Sequence, residues 1–285
     1  MSVDASFIVY SDLDGTLLDH DSYSFSAAVP ALSALNTLKI PLILVTSKTR
    51  VEIEGLRLKL AEVCPMIMQS PFVSENGAAI YFHDHLAPEE AERIEGSEFK
   101  ALGFAPKRSE LQSFITNELG DWGDAFMSFS QLGDEGVAEV TGLSLDAARL
   151  ANQRDFSEPL LWKGDEVEKA DLIACVEKHG MQVLEGGRFL HITKGFDKGQ
   201  ALDWLQSYYH SSMEGFRLAK SIALGDGGND VAMLNAADYP VAIRSNAHAY
   251  PPVAERETLI RTKGIGPLGW NDAILSLLSE YVDKH

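Results

Sequence analysis

Two apolar segments, far apart in the chain, each end in a pair of carboxylates. The segment FIVYS leads directly into Asp12 and Asp14. The segment SIALG leads into Asp226 and Asp230. Short runs of β-branched and aliphatic residues bounded by turn residues are typical of strands buried on both faces. Since open α/β sheets bind ligands beyond the carboxyl ends of such strands, the two pairs predict an acidic site at the edge of a parallel sheet.

The spacing of Asp12 and Asp14 indicates that this site binds a cation. Residues i and i+2 of a strand face the same side, so both carboxylates can point into one crevice. Like charges at that separation repel each other, and burial increases the cost. A calcium loop does not fit, because Gly15 follows Asp12 too closely and no glutamate stands at the twelfth position. Carboxylates at two strand ends favour an oxygen-lined Mg²⁺ site over a solvated turn, which is the alternative for an isolated Asp-x-Asp.

The sequence changes character twice along the chain. Up to residue 83, segments typical of buried strands alternate with helical segments, and Asn-Gly within FVSENGAAIYF predicts a hairpin. From about residue 84 the chain is polar and acidic, and the regular alternation stops, which favours an α+β insertion with an antiparallel sheet. The buried-strand pattern returns after residue 193. We therefore predict an α/β fold: a doubly wound parallel-sheet core, residues 1–83 and 194–285, split by an inserted α+β cap domain, residues 84–193.

Composition excludes several classes of partner. The formal net charge of −18 argues against binding to nucleic acid or to an anionic membrane surface. No apolar run approaches the ~20 residues that a membrane span needs, and the first residues lack the basic and apolar segments of a signal peptide. The two cysteines, Cys64 and Cys175, cannot form a disulfide framework and are typical of buried thiols in a reducing compartment. These features predict a cytoplasmic protein; they do not predict its oligomeric state.

Four motifs, in this order and strand context, identify a family resemblance. DLDGT, a strand ending in VTS, the lysine of FDKGQAL, and GDGGND resemble the four motifs of the haloacid dehalogenase superfamily of phosphatases. The predicted insertion lies where sugar-phosphatase members carry a large α/β cap. Four shorter strings (TSKTR, SENGAAI, RDFSEPLLW and EGGRFLHI) resemble the mannosyl-3-phosphoglycerate phosphatase subfamily.

The resemblance implies a role for each matching residue. Asp12 is the expected nucleophile, which takes the phosphoryl group as an aspartyl phosphate. Asp14 is the expected acid and base, which protonates the leaving oxygen and then activates water. Thr46 would bind a phosphoryl oxygen, with Ser47 as the close alternative. Lys198 would neutralise charge on the phosphoryl group, and a cation in the first turn of a helix, where the dipole disfavours it, supports this role over a surface one.

The resemblance also implies the metal ligands. Asp226 is expected to bind Mg²⁺ directly, and the main-chain carbonyl of Asp14 is expected to join it. Asn229 and Asp230 are expected either to bind the metal or to hold its waters. The expected metal set is therefore Asp12, Asp14, Asp226, Asn229 and Asp230.

The expected substrate is a small phosphorylated sugar acid, mannosyl- or glucosyl-3-phosphoglycerate. Its phosphate and carboxylate suit the fork of an arginine. The candidates for substrate binding are Ser47, Lys48, Arg154, Glu158 and Arg188, with Glu158 expected to contact hydroxyl groups. Three alternatives remain open: a phosphatase for another sugar phosphate, a phosphosugar mutase, and a non-enzymatic phospho-acceptor module. The insertion argues against the last, since receiver domains have no need to enclose a small ligand.

Overall fold

The protein is described by a computed structural model that covers residues 7–186, 189–194 and 196–282. The strands are β1 (Phe7–Ser11), β2 (Leu42–Val45), β3 (Phe72–Ser74), β4 (Ala79–His83), β5 (Glu92–Arg93), β6 (Phe99–Gly103), β7 (Phe126–Ser128), β8 (Glu158–Trp162), β9 (Gln182–Gly186), β10 (Phe189–Thr193), β11 (Lys220–Gly225), β12 (Tyr239–Arg244) and β13 (Ile260–Ile265). The helices are α1 (Val29–Leu38), α2 (Arg50–Leu60), α3 (Arg108–Glu118), α4 (Phe129–Thr141), α5 (Leu145–Asn152), α6 (Glu166–Lys178), α7 (Lys198–Ser212), α8 (Val231–Ala236) and α9 (Gly266–Val282). None of the helices in these ranges is both long enough and apolar enough to cross a membrane.

The larger sheet has the order β13-β12-β11-β1-β2-β3-β4-β6-β5 among the described residues. Its strands are parallel from β13 to β3, and β4 runs antiparallel to β3. In the centre, Val9 of β1 pairs with Ile222 of β11 on one side and with Leu42 of β2 on the other. The carboxyl ends of β1 and β11 are therefore neighbours, as the sequence predicts.

Both faces of this sheet are covered by helices. Val9 points to the face where Leu32 of α1 and Trp270 of α9 are buried. Tyr10, the next residue, points to the opposite face, where Leu205 of α7 is buried. The strands can be apolar throughout because neither face meets water. The predicted doubly wound core is confirmed.

The smaller sheet is antiparallel, with the order β7-β8-β10-β9. Leu160 of β8 and Leu190 of β10 pack with Leu172 of α6 and Leu111 of α3 in a hydrophobic cluster separate from the core. The helices α4 and α5 form a further small cluster around Phe129. An α+β insertion with its own antiparallel sheet is thus present, and we call the segment from α3 to β10 the cap.

The segment 84–106 differs from the sequence-based expectation, which placed it in the insertion. β6 pairs along its whole length with β4, and β5 pairs with β6, so both strands extend the larger sheet. β5 lies at the edge and both of its residues are exposed. Polar and charged residues protect a sheet edge from pairing with other chains. The polar texture of this segment therefore reflects an edge position rather than the start of another unit.

The predicted hairpin is present. β3 and β4 pair antiparallel with Ser74 opposite Ala79. The turn contains consecutive residues in the left-handed region, with φ of 52° at Glu75, 61° at Asn76 and 101° at Gly77. The Asn-Gly pair accounts for two of these three conformations.

Candidate active site

Three carboxylates meet where β1 and β11 end. Asp12, Asp226 and Asp230 are buried, and each offers one oxygen within 4.8 Å of the others. Asp12 follows β1, Asp226 follows β11, and Asp230 follows the short turn after Asp226. The donor set consists of carboxylate oxygens alone, which suits a hard cation such as Mg²⁺ and does not suit a metal that prefers sulfur or imidazole. These residues therefore fit the cation that the sequence predicts.

Lys198 compensates part of this negative charge. Its Nζ lies 2.6 Å from Asp12 Oδ1 and 2.7 Å from Asp230 Oδ1, and its side chain has no exposed surface. Burial alone would lower the pKa of Lys198, but the carboxylates of Asp12 and Asp230 raise it above its usual value. The ammonium group is therefore charged. Lys194, four residues earlier in the chain, is exposed.

Asp12 lies in an environment that opposes its ionisation. Burial, followed by the charge of Asp230, raises the pKa of Asp12 to about 8, although Lys198 acts against both. A carboxylate must be ionised to act as a nucleophile. A divalent cation bound among the three carboxylates would favour that state, because an opposite charge stabilises the ionised form.

Asp226 is oriented by the turn that follows β1. Thr16 Oγ1 donates a hydrogen bond of 3.0 Å to Asp226 Oδ1. Gly15 has φ of 76°, and a Cβ at this position would lie 2.5 Å from Asp226 Oδ2, so only glycine fits. His248 Nε2 lies 3.2 Å from the same oxygen. The DLDGT motif thus supplies the carboxylate of Asp12, and its Gly15 leaves the space that the carboxylate of Asp226 occupies.

Asp230 and Asn229 have different positions. Asp230 Oδ2 accepts hydrogen bonds from the N–H groups of Asp226 and Gly227, at 3.1 and 2.9 Å. It therefore holds the loop after β11 and also belongs to the acidic triad. Asn229 is exposed and lines the cleft, and its side-chain amide donates to Asn76 Oδ1 at 3.1 Å. Its expected role, to bind the metal or to hold its waters, stays a prediction.

Asp14 is more accessible than Asp12. Its side chain is 37% exposed, and Oδ2 lies 2.8 Å from the Nζ of Lys48. Oδ1 is buried and has no hydrogen-bond partner among the described residues. Part of the Asp14 side chain is therefore accessible, as the expected role of acid and base requires. Lys48, a candidate for substrate binding, pairs with Asp14.

Thr46 is fully buried at the end of β2. Its Oγ1 accepts a hydrogen bond of 3.2 Å from the N–H of Lys48, which leaves the hydroxyl proton free for donation. Ser47 is partly buried and lines the cleft. The positions of both residues are compatible with the expected binding of a phosphoryl oxygen.

The core and the cap enclose a cleft of about 610 Å³ beside Lys198. This volume is typical of small-molecule sites. Its cap side includes Arg154, His191, Leu184 and Glu185. Burial, followed by the charge of Arg154, lowers the pKa of His191 to about 3, so the imidazole is neutral at physiological pH.

Among the described residues, Arg154 is the cationic side chain that the cap contributes to this cleft. Its side chain is 9% exposed, and its guanidinium lies over the ring of Phe129, 5.7 Å from the centroid. Nη1 donates to Ser157 Oγ at 2.9 Å, whereas the buried Nε has no hydrogen-bond partner among the described residues. The guanidinium therefore keeps donors for an anion.

Glu158, another cap candidate, does not line the cleft. Glu158 has no exposed side-chain surface, and its oxygens accept from Arg108 at 2.5 Å, Gln112 at 3.2 Å and the N–H of Ser130 at 2.7 Å. A carboxylate saturated by internal donors has no free surface for a sugar hydroxyl, so the prediction for Glu158 is wrong in this conformation. Arg188 lies outside the described residues.

Three residues near the site carry no sequence signal of their position. Asn76 lines the cleft, His248 contacts Asp226, and Glu75 is buried between core and cap. The string SENGAAI predicts the turn that holds Glu75 and Asn76, but not what their side chains contact. His248 stands in a loop without a recognisable motif.

Comparison with known proteins gives consistent results. The family model for haloacid dehalogenase-like hydrolases matches residues 9–120 and 167–259. A glucosyl-3-phosphoglycerate/mannosyl-3-phosphoglycerate phosphatase from Methanococcoides burtonii is 36% identical over 96% of this chain and 97% of its own length. Another protein of that name, from Persephonella marina, is 32% identical over the same shares. A solved haloacid dehalogenase-like hydrolase from Bacteroides thetaiotaomicron superposes with a TM-score of 0.63 at 17% identity, over 95% of this chain and 99% of that one, which supports the fold alone.

Proposed function

Because this chain belongs to the haloacid dehalogenase-like hydrolases, we propose that it is a phosphomonoesterase that hydrolyses mannosyl- or glucosyl-3-phosphoglycerate. The products are the glycosylglycerate and inorganic phosphate. The observation that carries the chemistry is the buried contact of Lys198 with Asp12 beside two further carboxylates. The names of the relatives from Methanococcoides burtonii and Persephonella marina support the substrate.

The first half-reaction transfers the phosphoryl group to the protein. An oxygen of Asp12 attacks phosphorus, the bond between phosphorus and the substrate oxygen breaks, and Asp14 gives its proton to that oxygen. Lys198 offsets the charge on the nucleophile and the phosphoryl oxygens, and the Thr46 hydroxyl donates to one of them. The product of this step is an aspartyl phosphate at Asp12.

The second half-reaction hydrolyses the aspartyl phosphate. Asp14, now ionised, accepts a proton from water as the water attacks phosphorus. The bond between phosphorus and the Asp12 oxygen breaks, which restores both carboxylates to their starting states. Bound Mg²⁺ would offset negative charge on the phosphoryl group throughout, and the residues that would hold it are Asp12, Asp226 and the main chain of Asp14, with Asp230 in support.

Arg154 is the proposed partner of the substrate carboxylate. A phosphoglycerate conjugate carries two anionic groups, and Lys198 is committed to the one that reacts. Arg154 lies on the opposite wall of the same cleft, mostly buried and with free donors. A charge-assisted contact with a carboxylate there would distinguish a sugar acid from a simple sugar phosphate.

The cap, from α3 to β10, is proposed to enclose the sugar and exclude water from the aspartyl phosphate. No nucleic-acid or membrane partner is proposed, in keeping with the net charge of −18. The two free cysteines support a cytoplasmic location.

Steady-state kinetics of the purified protein test the function. With Mg²⁺ present, kcat/KM for a glycosyl-3-phosphoglycerate should exceed that for glucose 6-phosphate or mannose 6-phosphate by at least about tenfold, the value of one charge-assisted contact. Chelation of the metal should abolish turnover of every substrate. A preference for the simple hexose phosphates would refute the substrate and leave the reaction type standing.

The Arg154→Ala variant tests the carboxylate partner. We expect kcat/KM for the glycosyl-3-phosphoglycerate to fall about 10- to 100-fold, while p-nitrophenyl phosphate, which has no carboxylate, is turned over as before. Arg149→Ala is the matched control, since Arg149 is half-exposed on the cap and pairs only with Asp146 and Asp134 among the described residues. Equal losses for both substrates would show that Arg154 acts on folding rather than on recognition.

A further inference from the structure

The loop that carries Arg154 belongs to the cap in sequence but packs on the core. We call residues 154–157 the arginine loop. Phe156 is buried in the same hydrophobic cluster as Phe72 and Tyr81 of the larger sheet. Its ring lies so close to Gly103 that a Cβ there would be 2.6 Å from it. The loop is therefore held in the core by an apolar side chain.

Glu75 adds a polar attachment to the same loop. The core residue Glu75 has no exposed side-chain surface. Its Oε1 accepts a 2.8 Å hydrogen bond from the N–H of Asp155, its Oε2 accepts from the N–H of Phe156 at 3.3 Å and from the hydroxyl of Ser157, and Arg154 Nη1 lies 3.9 Å away. One carboxylate thus accepts hydrogen bonds from three residues of the arginine loop and forms a longer ion pair with the fourth, Arg154.

The backbone around Glu75 is itself unusual. Glu75 and Asn76 both lie in the left-handed region, which non-glycine residues seldom adopt. Gly77 follows, and a Cβ there would lie 2.4 Å from the carbonyl oxygen of Asp197, the N-cap residue of α7. The turn therefore contacts the arginine loop on one side and the start of the helix that carries Lys198 on the other.

We propose that Glu75 is a positioning residue for substrate specificity, which fixes Arg154 in the frame of the core at a set place relative to Lys198. The inference rests on the proposed recognition of a carboxylate by Arg154. Two anions on one small molecule are separated by a fixed span, so a site that selects it needs two cations at a fixed span. Attachment to the core provides this. The carboxylate site is then preformed and does not depend on how the rest of the cap moves.

The hydrogen bonds around Glu75 support this reading. Burial raises the pKa of Glu75, and Arg154 and the hydrogen bonds from the arginine loop act against this rise. The loop groups that form hydrogen bonds with the carboxylate all donate to it. Glutamine keeps the shape of the side chain but presents an NH₂ group to one of these donors, so Glu75→Gln should release part of the loop without leaving a cavity.

The experiment measures inhibition of p-nitrophenyl phosphate hydrolysis by two probes. 3-Phosphoglycerate carries a phosphate and a carboxylate, whereas glycerol 3-phosphate lacks the carboxylate. In the wild type, 3-phosphoglycerate should inhibit at about tenfold lower concentration. In Glu75→Gln this ratio should fall to about one, with kcat for p-nitrophenyl phosphate within about twofold of wild type.

Hydrogen exchange of the Asp155 and Phe156 amides provides a readout that needs no substrate. Both amides should exchange faster in Glu75→Gln, since they lose their acceptor. Glu62→Gln is the control for the loss of one acidic charge, because Glu62 is exposed and lies after α2, away from the loop. It should change neither the inhibition ratio nor the exchange.

The outcomes separate the inference from the proposed function. A lost ratio together with faster exchange supports the positioning role, even if the wild type does not hydrolyse glycosyl-3-phosphoglycerates and the proposed function fails. An unchanged ratio, unchanged exchange, or an equal weakening of both inhibitors overturns it. If Glu75→Gln does not fold, Phe156→Leu loosens the same loop from its apolar side and is judged by the same two measurements.

Discussion

Replacement of Lys198 by methionine should destabilise the metal-free protein and slow catalysis, in both cases because the buried carboxylates lose their positive partner. Lys198 is the buried cation closest to three buried carboxylates, and its Nζ contacts two of them at 2.6 and 2.7 Å. Methionine has a similar length and no charge. The variant therefore leaves the carboxylates of Asp12 and Asp230 buried without their partner.

The size of the effect follows from these contacts. At an effective dielectric constant near 20, each unit-charge pair at about 4 Å contributes roughly 4 kcal/mol, and the cost of burying the ammonium cancels a large part of the sum. Removal of one member of a buried ion pair costs about 3–5 kcal/mol. We expect the free energy of unfolding in EDTA to fall by that amount. A typical domain has about 5–15 kcal/mol in total, so the variant should fold with a much lower melting temperature.

Magnesium should restore more stability to the variant than to the wild type. Loss of the ammonium raises the net negative charge of the acidic triad, which strengthens its attraction for a divalent cation. The loss of activity should persist in Mg²⁺, because the metal does not restore a positive charge at the place that the Lys198 ammonium occupies beside Asp12. We expect kcat/KM to fall about 10²–10³-fold for p-nitrophenyl phosphate and for the sugar acid alike.

The assay is thermal and urea unfolding with EDTA or with Mg²⁺, followed by kinetics in Mg²⁺. Lys194→Met is the matched control, since Lys194 is exposed four residues earlier. It should behave as wild type in every measurement. Stability of Lys198→Met within about 1 kcal/mol of wild type in EDTA, or activity within tenfold, would refute the reasoning that this ammonium compensates the site.

Two further predictions concern Asp14 and His191. Asp14→Asn should lower turnover of sugar phosphates about 10²–10⁴-fold but affect p-nitrophenyl phosphate, whose leaving group needs little protonation, far less; equal losses in steady-state kinetics would contradict the acid role. The pKa of His191 is lowered to about 3, whereas an unfolded histidine titrates near 6.5, so the unfolded state takes up the proton first and stability is lost as pH falls below about 6.5. The wild type should therefore lose about 1–2 kcal/mol more than His191→Gln between pH 7.5 and pH 5 in urea unfolding, and parallel losses would show that His191 titrates normally.

The central fold could be predicted because its signals are local. Each strand of the parallel core is a short apolar run with a turn after it, and both faces are buried, so alternation is not needed. Asp12 and Asp226 follow their strands directly, and the edge at which parallel strands end is common to all of them. Strands β5 and β6, at one end of the larger sheet, could not be assigned in this way. The edge strand β5 consists of two exposed charged residues, which protect the edge of the sheet, and the same texture is expected of a solvated insertion.

Two buried glutamates make contacts that local sequence patterns do not predict. Glu158 and Glu75 are both glutamates beside a serine, and the sequence favoured Glu158 as the substrate ligand. In the structure Glu158 is saturated by Arg108, 50 residues away, and Glu75 holds Ser157, 82 residues away. Neither pairing follows from composition or spacing. The environment of a buried carboxylate is decided by contacts that form only when the cap meets the core.

Lys198 and Glu75 are both in locally unfavourable arrangements, but only that of Lys198 can be recognised from the sequence. A lysine at the first position of a helix interacts unfavourably with the helix dipole. This placement can be recognised from the sequence because the start of the helix can be recognised. The unfavourable placement of Lys198 indicates that an anionic partner compensates it, and the structure provides two carboxylates in this role. Glu75 also breaks a local rule, since it adopts φ of 52°, but the adjacent Asn-Gly pair already explains a turn there. The strain at Glu75 has no counterpart in the residue pattern, so its function could be inferred only after the arginine loop had been seen to surround it.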